Sequence, residues 1–145
     1  MVLKRLKSNL FLLMILLITT SCAKNDFKPD FSSPESAFKT FDFASSNKLP
    51  GLYLDCLSDE IKKMNGSTRK EQLSKIKESF RRNDIFRNSK IEILEICYED
   101  GDPTLARIKF NRSKNGKTIL RNGSAYMVKE YGTWKLSVNR SKQPR

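Results

Sequence analysis

KIEILEICYED, Lys90–Asp100, is the stretch of this 145-residue chain where apolar residues leave helical spacing and begin to alternate. Ile91 and Ile93 flank Glu92, and Leu94, Ile96 and Tyr98 then alternate in a register shifted by one. Alternation with period two is the mark of a strand with one buried face, and the shift is what a bulge between 93 and 94 produces. Downstream of it, Ala106, Ile108 and Phe110 alternate with Arg107 and Lys109, and Asn115-Gly116 is a strong two-residue hairpin signal. A longer strand follows from Thr118 to Glu130. Asn122-Gly123 inside it fits either a bulge or a second turn. Tyr131-Gly132 then leads into TWKLSV, where Trp134, Leu136 and Val138 share a face.

Upstream the spacing is helical. Ser33-Pro34-Glu35 supplies an N-cap, a proline at the first helical position and an acid in the first turn, ahead of Ala37, Phe38 and Phe41. A second helix is expected after Asn47-Lys48-Leu49-Pro50, with Leu52, Tyr53, Cys56, Leu57, Ile61 and Met64 on one stripe and Asn65-Gly66 at its end. A third begins at Thr68, with Glu71 placed to close a capping box and Leu73, Ile76 and Phe80 on its inner face. Three helices followed by hairpin-linked strands is an α+β order: N-terminal helices packed on an antiparallel sheet, with no room for parallel crossovers.

Three short stretches carry a resemblance. SSPESAFKTF, LDCLSDEIKK and MVKEYGTWKLS are similar to segments of small bacterial lipoproteins with a nuclear transport factor 2-like domain. The resemblance spans Ser33 to about Arg140. It implies a curved sheet wrapped on helices as a cone with a pocket at its open end, a fold used by isomerases and dehydratases and also by binding modules, so that fold does not choose among them.

The amino terminus gives an address. Lys4, Arg5 and Lys7 precede Leu10–Ile18, nine apolar residues that cover roughly 14 Å as a helix against a hydrocarbon core of about 30 Å. That is too short to span, and fits a secretory signal peptide. Ile18-Thr19-Thr20-Ser21-Cys22 resembles a lipoprotein lipobox, departing from the commoner leucine at Thr19. The resemblance implies cleavage before Cys22, lipidation of its thiol, and, with Ala23 next rather than aspartate, outer-membrane sorting to a periplasmic-facing site. The expected organisation is signal peptide 1–21, tether 22–32, domain 33–140 and basic tail 141–145. The mature chain keeps 124 residues, enough to bury a core unaided.

Cys56 and Cys97 then remain in an oxidising compartment, either as a disulfide closing a loop of about 42 residues, worth roughly 4 kcal/mol, or as two free thiols. With no histidine in the chain, the usual general base, the commonest metal ligand and every Ser-His or Cys-His pair are missing. No cofactor, zinc or phosphate-loop pattern occurs. The expectation is a non-enzymatic envelope lipoprotein that binds a small ligand or an envelope partner. Asp55, Glu92, Glu95, Tyr98, Tyr126 and Glu130 are the groups an alternative pocket lyase or isomerase would have to use. A formal charge of +12 favours anionic partners, and Lys109, Arg112, Lys114, Lys117 and Arg121 gather around one hairpin as a candidate anionic-surface contact. That makes an electrostatic adaptor for envelope polymers a further alternative. The set lacks the interleaved aromatics of a nucleic-acid platform, and an exported protein does not normally meet nucleic acid.

Overall fold

A computed structural model of the protein describes residues 27–99 and 101–138. The expected signal peptide, Cys22, Ala23 and the expected basic tail 141–145 lie outside the described residues. Among the described residues four helices precede four strands: α1 (Pro34–Ser46), α2 (Pro50–Asp55), α3 (Asp59–Asn65), α4 (Arg69–Arg82), β1 (Ser89–Glu99), β2 (Asp102–Lys114), β3 (Lys117–Glu130) and β4 (Thr133–Ser137). The strands form one antiparallel sheet in the order β1-β2-β3-β4. The α+β class follows directly.

Local signals act where the sequence places them. The Ser33 side chain accepts from the Ser36 N–H above Pro34, and Thr68 and Glu71 complete a reciprocal capping box on α4. The β1 register breaks between Ile93 and Glu95, leaving Leu94 as the bulged residue. Asn115 and Gly116 both take positive φ, as do Tyr131 and Gly132, so each hairpin turns with the strands' own twist. β3 runs unbroken through Asn122-Gly123, which excludes a turn there. Arg121 and Asn122 stand against Asn111 alone, so the residues just before Gly123 form a bulge. Gly123 is paired with Phe110, and a Cβ on it would fall 2.9 Å from the Phe110 ring.

Two expectations need correction. The single helix expected over residues 50–65 is two, because the chain opens at Cys56-Leu57-Ser58 to cover the edge of β4. There the Leu136 N–H donates to the Cys56 carbonyl, and the Ser58 N–H donates to that of Leu136. Ser58 then caps α3, with Asp59 and Glu60 in its first turn. The tether also ends earlier than expected. Phe27 stacks on Phe43 at 3.8 Å, Asp30 exchanges hydrogen bonds with the Thr40 hydroxyl, and the Phe31 carbonyl accepts from the Trp134 N–H. Residues 27–32 therefore belong to the domain.

The main core lies between α1 and the sheet, where Phe38 meets Phe110 at 4.8 Å and Ala37, Ala106, Ile108, Met127 and Trp134 close around them. A second cluster, Leu54, Leu57 and Ile76, joins α2 to α4, with Phe41 and Leu136 packed against both. Tyr98 of β1 and Trp134 of β4 come from opposite edge strands, yet their rings lie 6.0 Å apart. Neighbouring strands sit about 4.8 Å apart, so flat edges would be some 14 Å from one another.

Candidate functional site

The register of the sheet lines up a transverse row. Cys97 pairs with Arg107, Arg107 with Tyr126, and Tyr126 with Ser137. Directly paired residues point to the same face, here the one away from the Phe38 core. Beside this row, where β1 and β4 end, lies a pocket of about 210 Å³ lined by Glu99, Leu105, Ala106, Tyr126, Met127, Ser137 and Val138. Its wall is mainly apolar. Ser137 is only 9% exposed, and its hydroxyl oxygen has no hydrogen-bond partner. The Nε of Arg107, two strands across in the same row, also lacks one. Leaving a buried hydroxyl unpaired costs about 1–3 kcal/mol, so an orphan on a pocket wall points to a group that binds there.

The residues singled out from sequence are scattered. Tyr126 alone of the six acid-base candidates lines the pocket. Asp55 pairs with Arg69 at 3.2 Å, Glu92 accepts from the Asn111 amide, and Glu95 pairs with Lys109, which holds its carboxyl below the usual range. Glu130 accepts from the Asp59 N–H at the start of α3, and Tyr98 packs edge-on against Trp134.

The basic hairpin set does not form one surface. Arg112 is buried to 4% exposure, where it contacts Asp42 at 2.6 Å and the Ser89 hydroxyl at 2.7 Å, with the Phe86 ring over its guanidinium. It points inward because it follows Phe110 by two residues on a strand. Lys109 is engaged by Glu95, and Lys114 donates to the Asp84 carbonyl. Of the five, Lys117 and Arg121 alone are exposed.

Cys56 and Cys97 are both free. Cys56 is buried beside β4, while Cys97 stands on β1, the far edge strand, in the row with Arg107. In the sheet order β2 and β3 lie between β1, which carries Cys97, and β4, beside which Cys56 sits. Burial pushes the Cys56 thiol up to about 12. The Glu95 carboxylate beside Cys97 raises that thiol as well.

Among the described residues no group of three or more His, Cys, Asp or Glu side chains could hold a metal, and no helix is long and apolar enough to cross a membrane. Glu99, Leu105 and Ser137 were not picked out from sequence. Ser137 was within reach of it, since alternation in TWKLSV sets it opposite Trp134 and Leu136. Only register, however, brings it beside Tyr126. No protein-family model matches the chain, and comparison with curated proteins finds no match.

Proposed function

We propose that the protein is a lipid-anchored envelope lipoprotein with a nuclear transport factor 2-like domain, whose end pocket binds a small, largely apolar molecule carrying one hydrogen-bonding group. The observation that carries the binding reading is the unpartnered Ser137 hydroxyl on an apolar wall. A cavity of about 150 Å³ lined by aliphatic and aromatic side chains admits benzene, so 210 Å³ suits a substituted ring or a short acyl chain. Ser137 would meet its polar head, with Tyr126 and Glu99 beside it. The Tyr98–Trp134 contact between opposite sheet edges supports the cone reading. The basic, short-apolar and small-residue order ending at Cys22 supports the anchor.

Titration with benzyl alcohol, using toluene as the apolar control, tests the pocket through amide shifts at Leu105, Met127 and Ser137. Benzyl alcohol should bind about fivefold tighter, the value of one hydrogen bond, and Ser137→Ala should erase that difference. Absence of saturable shifts with either probe defeats the reading. For the anchor, a palmitate analogue should label the wild-type chain, and label persisting in Cys22→Ala refutes it.

A further inference from the structure

Dispersal of the hairpin cations leaves another basic surface intact. Along α4, Lys70, Lys77 and Arg81 fall at i, i+7 and i+11, which is one flank of a helix. The acids of α4 are occupied elsewhere, Glu71 in the capping box and Glu78 with Arg82. Lys77 and Arg81 make no ion pair among the described residues. They border a shallow apolar depression floored by Pro50 and Phe80, with Lys48 on its other side and Leu49, 39% exposed, next in the chain. Lys48 is the partly engaged member, paired with Asp84 at 2.7 Å.

The route of the amino terminus gives this surface a direction. Phe27 stacks on Phe43, one turn before the Asn47–Leu49 link that follows α1. Cys22 lies five residue steps before Phe27, a reach of at most about 17 Å when fully extended. A lipid on Cys22 therefore holds the carboxyl end of α1, and with it the Lys48–Pro50 corner, close to the bilayer. We infer that Lys48, Lys77 and Arg81, with Leu49 and Pro50 between them, form the face by which the domain rests on anionic phospholipid headgroups. This inference rests on the lipid-anchor reading for its geometry. Each cation near an anionic surface contributes about 1 kcal/mol, screened by salt.

The test uses the full chain purified from a host that exports it and mixed with phosphatidylcholine vesicles, with and without phosphatidylglycerol. Flotation with neutral vesicles reads the anchor alone. Amine acetylation read by mass spectrometry reads the docking face. Lys48 and Lys77 should become protected when phosphatidylglycerol is added, with Lys117 unchanged. Lys77→Glu/Arg81→Glu should lose about tenfold or more of the preference for anionic vesicles, and Lys117→Glu/Arg121→Glu, an equal change in charge, should keep it. Equal losses in the two double variants, or no loss in either, overturn the assignment. Failure to float with neutral vesicles removes the anchor reading, while the comparison of the two variants on anionic vesicles still decides the surface.

Discussion

Arg112 and Asp42 form a buried ion pair between β2 and α1, 2.6 Å apart, with side chains 4% and 14% exposed. The contact is close but poorly aligned as a hydrogen bond, and burial outweighs the Arg112 charge in raising the Asp42 carboxyl above its ordinary range. Removing one partner strands the other charge, so Arg112→Met should cost about 3–5 kcal/mol in urea unfolding. The pH dependence follows from the raised carboxyl. The folded state holds that proton more tightly than the unfolded chain, so this contribution to stability is present at low pH and declines as pH rises through the folded value. Asp42→Asn should flatten the decline in unfolding midpoints recorded from about pH 3 to 7.

Ser137→Ala should stabilise the free protein. It removes a buried hydroxyl that has no partner, a penalty of about 1–3 kcal/mol. A rise in the thermal midpoint together with weaker binding of benzyl alcohol is the expected pair of results. A fall in stability would mean that the hydroxyl is satisfied in solution.

The cysteines should differ in reactivity. Near pH 8 iodoacetamide should modify Cys97 slowly in the folded protein and Cys56 only after unfolding, since Cys56 is buried and its thiol is pushed up to about 12. Because that value lies above the unfolded one, stability should also decline as pH rises past the ordinary thiol range. Peptide mapping checks the first outcome. A Cys56–Cys97 cross-link in the native protein would contradict two free thiols.

Gly123→Ala should destabilise by about 1–3 kcal/mol through overpacking. The added methyl would meet Phe110 in the core as well as the more yielding end of Leu120. Phe110→Leu in the same chain should recover part of the loss if the ring is the obstacle, as a double-mutant cycle measures.

Much of the fold is written locally. The Thr68 capping box, the Leu94 bulge and the Asn115-Gly116 turn depend on residues within four positions of one another, so spacing alone reveals them. The break at Cys56–Ser58 was half legible. Ser58-Asp59-Glu60 is an N-cap followed by two acids, but an unbroken apolar stripe ran across it, and the hydrogen bonds that open the chain there come from Leu136, some eighty residues away. Arg112 shows the same limit. Alternation from Phe110 points it inward, whereas its charged neighbours suggested a surface. Its partner Asp42 stands on a different element, seventy positions earlier.

The sequence by itself determined the class of the protein and the ends of most helices and strands, because propensity, capping, turn chemistry and alternation are short-range. Tertiary structure alone decided which polar groups lose water. It buried Arg112 against Asp42, left Ser137 unpaired beside Tyr126, set Cys56 and Cys97 at opposite edges of the sheet, and gathered Lys48, Lys77 and Arg81 in one patch. Desolvation and pairing depend on what other elements bring within a few ångströms, and no spacing along one segment records that.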